Sequence, residues 1–209
     1  MLSPFDPDSF IIVADAHIID SEPRISRTLQ LPVKLNFAQL HDVLQAAFGW
    51  TDSHLHQFDV GGLTIGAPEF DADGLSDQRV LDASDIRLLD LSFPYEIDPT
   101  LSVTYQYDFG DNWRHQLTLR RAPREIGVDY PRCSAGARSG PPEDVGGTLG
   151  YENFLIAWLD PGHKEHKTVR RWVGKKFDPE RFDLDATNKA IKRAMRAAKG
   201  SYRFRHERN

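Results

Sequence analysis

The sequence predicts an α+β fold with a largely antiparallel sheet, a helix in the N-terminal half and a helical segment at the C-terminal end. Three observations support this prediction. Segments rich in β-branched or alternating apolar residues, which are typical of strands, lie mainly before residue 121. Segments with apolar residues at helical spacing lie mainly after residue 150. Strands grouped ahead of helices are typical of α+β proteins rather than of alternating βαβ units.

Two strands are predicted first, at residues 10–19 and 25–31, with a turn between them. A helix follows from Asn36, because Asn is a suitable N-cap and Gln39, three residues later, completes the pattern of a capping box. Gly49 stands where a glycine ends a helix in the left-handed conformation. This segment is the clearest helix of the N-terminal half.

Further strands are predicted in two pairs in the middle of the chain. Residues 54–60 and 63–65 flank a Gly-Gly turn, and residues 66–79 after them are predicted to form a surface loop. Residues 101–109 and 113–120 both alternate apolar and polar side chains. The Gly-Asp-Asn turn between them predicts an antiparallel hairpin.

The last part of the chain is predicted to be a long loop followed by helices. Residues 121–150 are rich in Gly and Pro and show little periodicity. A helical pattern follows at residues 150–160 and another at residues 183–200. Between them, a helix is predicted to begin at Asp160, which would serve as its N-cap. We expect one domain over residues 1–209, with a core at about 10–200 and a basic tail at 201–209.

Composition excludes several classes of protein. No apolar run approaches the roughly 20 residues of a membrane helix, and the N-terminus lacks the basic start of a signal peptide, so we expect a cytoplasmic protein. The single cysteine, Cys133, excludes an intrachain disulfide and a Cys-rich zinc cluster. The sequence contains no phosphate-binding Walker loop, no dinucleotide-binding glycine motif and no nucleophile elbow.

Charge is distributed unevenly along the chain. Residues 1–161 hold 11 Lys/Arg and 25 Asp/Glu, whereas residues 162–209 hold 15 Lys/Arg and 6 Asp/Glu. A basic end with interspersed aromatic residues is compatible with nucleic-acid binding, and it is equally compatible with a solvated helix face or with docking onto the acidic body. The candidate nucleic-acid contacts are Arg170, Arg171, Lys175, Lys176, Lys192, Arg193 and Arg196.

The hairpin turn carries the first group of candidate metal ligands. Asp108, Asp111 and His115 are of the types that hold Mg²⁺, Mn²⁺ or Zn²⁺. Side chains alternate along a strand, however, which places Asp108 and His115 on opposite faces. The alternative is structural: an Asp would cap the turn through backbone N–H groups, Trp113 would anchor the hairpin, and His115 would be a half-buried, hydrogen-bonded residue.

A second group of candidates lies in the PPEDVGG segment and in the residues after it. Prolines and glycines hold Glu143 and Asp144 in a defined turn, which suits metal binding or acid–base work, and also suits helix capping or pairing with Arg132 or Arg138. His163 is a further candidate metal ligand together with His166, because an i,i+3 pair is predicted to lie on one helix face. Two more histidines, His54 and His56, are predicted to share one strand face.

Four motifs in a fixed order resemble those of the plasmid pRiA4b ORF-3-like family, a group also associated with insertion sequences. The motifs are LHDVLQAAFGWTDSHLHQF, YQYDFGDNWRHQLTL, GPPEDVGGTLGYENFL and DPGHKEH, and the resemblance covers roughly residues 10–200. It implies an α+β fold and a link to plasmids or other mobile elements, without an established activity. The chain has no serine-recombinase pattern, so the recombinase-like name of the group is not carried over.

Two functions remain open at this stage. The first is a non-enzymatic binding protein of mobile or accessory genes, which receives a protein, peptide or nucleic-acid partner near the hairpin turn and the PPEDVGG segment. The second is a divalent-metal-dependent hydrolase of phosphoesters, with the metal held by Asp108, Asp111, Glu143 and Asp144 and by His115 or His163. Both functions require the hairpin turn and the PPEDVGG segment to meet around a common hollow.

Overall fold

An eight-stranded sheet forms the centre of the fold in the computed structural model, which describes residues 6–67, 79–91, 100–174 and 177–198. The strand order is β5-β4-β3-β6-β7-β1-β2-β8, and every neighbouring pair is antiparallel except β4–β5. The strands are β1 (Phe10–Ile18), β2 (Ser26–Pro32), β3 (His56–Val60), β4 (Leu63–Gly66), β5 (Val80–Asp82), β6 (Thr100–Tyr107), β7 (Trp113–Pro123) and β8 (Arg132–Ala137). The α+β prediction is thus confirmed.

Helix α1 (Phe37–Phe48) packs against one face of the sheet and has the predicted ends. The Asn36 side chain accepts from the Gln39 N–H at 2.8 Å and the Gln39 side chain accepts from the Asn36 N–H, which completes the capping box. Gly49 ends the helix with φ of 86°. The apolar side chains of α1 are buried against those of the sheet, and their removal from water is the main contribution of this layer to stability.

The predicted hairpin is formed by β6 and β7, with Tyr107 opposite Trp113 at its closed end. The alternation is also confirmed for most positions, because Tyr105, Tyr107, Trp113 and His115 are all buried on the face that meets α1. These buried aromatic rings hold the hairpin rigidly against the core, so its turn has a defined position.

Two predictions for the second half of the chain were wrong. The predicted loop at residues 121–150 contains β8, which pairs with β2 at the edge of the sheet. No helix begins at Asp160: Asp160 and Gly162 form a turn, and the next helix starts at His166. The helices after β8 are α2 (Gly147–Leu159), α3 (His166–Trp172) and α4 (Leu184–Ala197).

Helix α4 lies across α1 and β8, which places the C-terminal segment beside the end of α1. No helix among the described residues is long and apolar enough to cross a membrane. Parts of three predictions lie outside the described residues: most of the surface loop at 66–79, the candidate contacts Lys175 and Lys176, and the tail at 201–209.

Candidate functional site

The hairpin turn (residues 108–112) is held by one of its own carboxylates. Asp108 Oδ1 accepts from the Gly110 N–H at 2.9 Å and from the Asp111 N–H at 3.2 Å. The backbone bends through positive φ values at Asp108 and Asn112, both 55°, which Asp and Asn tolerate better than most residues. The predicted structural role of an Asp in this turn is therefore present, and the second carboxylate oxygen of Asp108, Oδ2, lies towards His54.

The hairpin turn contacts the acidic corner, the PPEDVGG segment at residues 141–147. Asp111 Oδ2 accepts from the Gly146 N–H at 2.9 Å. Gly147 has a φ of 67°, and a Cβ added there would lie 2.3 Å from the Asp111 carbonyl oxygen, so only glycine allows this close approach. The two segments that the sequence analysis expected to meet are thus in direct contact, although they lie more than 30 residues apart in the chain.

Glu143 ties the acidic corner to the residues that follow α1. Its Oε1 accepts from the Thr51 N–H at 2.8 Å, from Thr51 Oγ1 at 3.1 Å and from the Tyr107 hydroxyl at 3.1 Å. The Trp50 indole N–H also donates to the Pro141 carbonyl at 3.0 Å. Burial and the neighbouring Glu143 carboxylate raise the pKa of Tyr107 above its ordinary value, so its hydroxyl stays protonated and able to donate.

The other structural roles considered for the two acids of the acidic corner are not realised. Arg138 Nη1 donates to Glu180 Oε2 at 2.6 Å, and Arg132 Nε donates to Gln30 Oε1 at 2.6 Å. Neither acid caps α2, because Gly146 occupies the N-cap position and provides no side chain. The carboxylate of Glu143 instead accepts hydrogen bonds from Thr51 and Tyr107, and that of Asp144 points towards a histidine.

That histidine is His54, which joins Asp144 and Asp108 in a three-residue group. His54 Nε2 lies 3.0 Å from Asp144 Oδ1 and 3.6 Å from Asp108 Oδ2, and one ligand atom of each residue lies within 4.8 Å of the others. An imidazole and two carboxylates match the donor preferences of Mn²⁺ and Zn²⁺. The group is reached from solvent through Asp144, whose side chain is 71% exposed. Two of the predicted metal ligands, Asp108 and Asp144, are therefore brought together.

His56 belongs to a different group, so the prediction that His54 and His56 share one strand face was wrong. His54 precedes β3, whereas His56 is buried and its ring stacks on His41, with centroids 3.4 Å apart and planes 5° from parallel. His41 Nε2 lies 2.7 Å from Asp52 Oδ1, and His41 Nδ1 lies 2.8 Å from the Tyr105 hydroxyl. A metal ion binds imidazole near the ring plane, so two parallel rings at this spacing do not share an ion. The geometry is that of a buried hydrogen-bonded network.

The remaining predicted metal ligands lie away from the His54 group or are engaged elsewhere. His115 is fully buried rather than half-buried, between aromatic rings of Phe48 and Trp50, and burial lowers its pKa to about 3. His163 lies in the turn before α3, so it does not share a helix face with His166, and its Nδ1 accepts from the Glu165 N–H. Asp111 and Glu143 hold the backbone, as described above.

The predicted nucleic-acid contacts lie in different places, and only some of them contact other side chains. The Arg170 guanidinium lies over the Trp158 ring at 4.0 Å, and Lys192 Nζ lies 3.3 Å from Asp129 Oδ2. Arg193 lines a groove between α1 and α4 that also contains Asp52. The side chains of Arg171 and Arg196 are exposed.

The sequence analysis expected a hollow shared by the hairpin turn and the acidic corner. A cleft of about 630 Å³ does open beside the acidic corner, but its lining does not include the hairpin turn. The cleft lies between the end of α1, the acidic corner, the segment after α3 and the start of α4. Its apolar wall consists of the aromatic residues Phe48, Trp172, Phe177 and Phe182 together with Pro141 and Pro142. Its charged residues are Arg27, Glu143, Asp144, Arg181 and Asp183. The sequence signals this cleft only through aromatic residues in its C-terminal half, because the cleft is assembled from distant parts of the chain, with Arg27 of β2 among them.

Comparisons with known proteins identify the family of this chain. The family described as plasmid pRiA4b ORF-3-like protein matches residues 11–186. The chain is 34% identical over 172 residues to the uncharacterized protein y4hQ of Sinorhizobium fredii, covering 81% of this chain and 84% of the relative. It is also similar to the crystal structure of a protein of unknown function, MM3350 from Methanosarcina mazei Go1, with a TM-score of 0.73, 34% identity, and coverage of 85% of this chain and 96% of that one. The chain therefore belongs to the plasmid pRiA4b ORF-3-like family.

Proposed function

We propose that this protein is a non-enzymatic binding protein that receives a peptide segment of a partner protein in the cleft. The observation that carries the proposal is the cleft itself, whose volume of about 630 Å³ falls in the range of ligand sites and whose wall is lined by four aromatic side chains. Trp172 is 51% exposed, and an exposed tryptophan beside a cleft is a typical anchor for a protein partner.

The wall of the cleft is held in place before any partner binds. Glu143 accepts three hydrogen bonds from Thr51 and Tyr107, and Asp111 accepts one from Gly146. A wall fixed in this way loses little conformational entropy on binding, which favours affinity. Most of the acids near the cleft thus have a positioning role, which supports binding rather than catalysis.

Charge favours a peptide over a nucleic acid as the partner in the cleft. Three carboxylates line it, those of Glu143, Asp144 and Asp183, against the two guanidinium groups of Arg27 and Arg181. The cleft therefore lacks the surplus of cations that binding of a phosphate backbone uses. A nucleic-acid partner, which the basic end of the sequence allows, would have to bind outside the cleft.

The proposal is tested by selecting peptides from a random displayed library on the immobilised protein and measuring their affinity by fluorescence anisotropy. Trp172→Ala should weaken a selected peptide at least tenfold. Ile156→Ala is the matched control, since Ile156 is an exposed apolar residue, 59% exposed, on α2 outside the cleft, and its loss should leave the affinity unchanged.

Two outcomes would contradict the proposal. One is the absence of peptides whose binding depends on Trp172. The other is salt-dependent binding of DNA or RNA that is lost in Arg170→Ala and Arg171→Ala but unchanged in Trp172→Ala, which would move the function to the basic surface.

A second candidate function, a divalent-metal-dependent hydrolase of phosphoesters, is favoured by the His54, Asp108 and Asp144 group. A bound ion there would lower the pKa of a coordinated water and supply a hydroxide for attack on phosphorus. The test is titration of the purified protein with Mn²⁺ and Zn²⁺ by calorimetry, with hydrolysis of bis(p-nitrophenyl) phosphate as the activity assay. Asp144→Asn keeps a residue that tolerates the φ of 56° at this position, and it should abolish both signals. No heat of binding from either ion would exclude this candidate.

A further inference from the structure

Arg27 is a buried cation that lines the cleft. It lies on β2 and is only 3% exposed, and its guanidinium is sandwiched between the rings of Phe48 and Phe182, 4.9 Å and 4.6 Å from the ring centroids. A charge taken out of water in this way costs free energy unless another charge compensates it. Burial accordingly lowers the pKa of Arg27 to about 10.

The partners of Arg27 are neutral carbonyl groups. Its Nε donates to the Ala47 carbonyl at 2.7 Å, and its Nη1 donates to the carbonyls of Ser26 at 2.6 Å and Ala137 at 3.0 Å. Ala47 lies in the last turn of α1, where a cation is favourable. Among the residues that the structure describes, no carboxylate pairs with Arg27, and no acceptor is found for its Nη2.

The other charged groups of the cleft are already engaged. Arg181 Nη2 lies 2.8 Å from Asp183 Oδ2, and Asp183 Oδ1 also accepts from the Ala186 N–H at the start of α4. Glu143 accepts from Thr51 and Tyr107, and Asp144 faces His54. Of the two cations in the cleft, Arg27 is therefore the one without a carboxylate partner among the described residues, whereas Arg181 is paired with Asp183.

We propose that Arg27 is an anion subsite at the buried end of the cleft and that it takes a carboxylate of the bound peptide. This inference rests on the proposed function and adds the chemistry of the ligand. A carboxylate oxygen accepts from Nη2 as a charge-assisted hydrogen bond, which is about twice as strong as a neutral one. The aromatic walls then take the apolar side chains next to that carboxylate. The source is either a free C-terminus or an Asp or Glu side chain.

The first test follows the Arg27 Nε–H resonance of the ¹⁵N-labelled wild-type protein by NMR, which needs no variant at this residue. Acetate and inorganic phosphate are added at constant ionic strength, with chloride as the reference salt. Acetate should shift the resonance to a saturating limit. No saturable shift beyond that given by chloride would overturn the proposal.

Variants of the protein show which of the two cations of the cleft, Arg27 or Arg181, binds the anion. Acetate bound at Arg27 should also shift the indole N–H resonance of Trp172, which lines the same cleft, and Arg27→Gln should remove that shift. Arg181→Gln removes a cation that is 63% exposed and paired with Asp183, and it should leave the response intact. Loss of the response in Arg181→Gln, with the Arg27 resonance unmoved by acetate, would assign the anion to Arg181 and overturn the proposal. Should Arg27→Gln fail to fold, the wild-type titration and the Arg181 variant still decide the outcome.

Modified versions of a selected peptide identify which of its carboxylates binds Arg27. Amidation of the C-terminus of a selected peptide should weaken its binding at least tenfold if the terminal carboxylate is the ligand, and Asp→Asn or Glu→Gln within the peptide should do so if a side chain is. Binding that is insensitive to both changes would overturn the subsite and leave peptide binding intact. A saturable shift of the Arg27 resonance by acetate in a protein that selects no peptide would support the subsite and refute the proposed function.

Discussion

The Tyr107 hydroxyl donates to the Glu143 carboxylate, with 3.1 Å between Tyr107 Oη and Glu143 Oε1, and so connects the end of a sheet strand to the acidic corner. The same carboxylate oxygen accepts from the Thr51 N–H at 2.8 Å. One side chain thereby positions the wall of the cleft relative to both layers of the fold. Four predictions test the structural relationships that build this site.

Replacing Glu143 with alanine should destabilise the protein by about 1–3 kcal/mol, because the Tyr107 hydroxyl and the Thr51 N–H lose their charged acceptor. Glu152→Ala is the control, since Glu152 is an exposed acid on α2, and its loss should change stability by less than about 0.5 kcal/mol. Urea unfolding at pH 7 measures the change in unfolding free energy of each variant. Equal stability of the two variants would show that the acidic corner does not depend on Glu143.

Stability should fall above pH 10 in part because of Tyr107. The pKa of this hydroxyl is raised in the folded state by burial and by Glu143, so its contribution is fully present below the ordinary tyrosine pKa of about 10 and is lost as the pH rises further. Urea unfolding between pH 9 and pH 11.5 should show a shallower decline for Tyr107→Phe than for wild type. The other tyrosines contribute equally to both proteins, and parallel pH curves would contradict the prediction.

His115 should make the protein sensitive to acid. Its pKa is lowered to about 3 in the folded state by burial, so its neutral form stabilises the fold above the ordinary histidine pKa of about 6.5 and this contribution is lost as the pH falls towards 3. Between pH 7 and pH 5 the loss is about 2 kcal/mol for this one group. His115→Leu should remove that part of the pH dependence, measured as the difference in unfolding free energy at the two pH values. An unchanged difference would contradict the assignment.

Gly147→Ala should separate the acidic corner from the hairpin turn. The added Cβ would lie 2.3 Å from the Asp111 carbonyl oxygen, on a residue with φ of 67°. Gly61→Ala is the control, because Gly61 has a similar φ of 57° but open space around it, so it should cost only about 1–2 kcal/mol for the left-handed backbone. Gly147→Ala should exceed that cost by about 1–3 kcal/mol in thermal or urea unfolding. Equal costs would mean that the contact with Asp111 is not required.

The elements that were predicted well are those with local signals. Helix α1 has a cap at Asn36, a reciprocal partner at Gln39 and a terminating Gly49, all within the helix or next to it. The β6–β7 hairpin combines alternation with turn residues that stabilise their own backbone, as Asp108 does. Capping residues, turn residues and alternation act over a few residues, so they can be recognised in the sequence before any tertiary contact is known.

Strand β8 was missed because its sequence, RCSAGA, contains none of the β-branched or aromatic residues that predict strands. It is a strand because β2 presents an unpaired edge to it. Its small residues are also required by packing, since a Cβ at Gly136 would lie 2.6 Å from the Phe182 ring. The start of α3 was misplaced for a comparable reason: Asp160 bonds to the Gly162 N–H in a turn of its own instead of capping a helix.

By itself the sequence determined the fold class, the family, the helix α1, the central hairpin and the acids that stand in its turn and in the acidic corner, because each of these depends on periodicity, on turn chemistry or on a run of motif residues. Only the tertiary structure decided which of those acids meet His54 and which hold the backbone. It also decided that Arg27 lies in an aromatic cleft with no carboxylate partner among the residues that the structure describes. The physical reason is that burial and electrostatic pairing depend on distances between residues far apart in the chain, and those distances are set by the packing of the whole sheet and its helices.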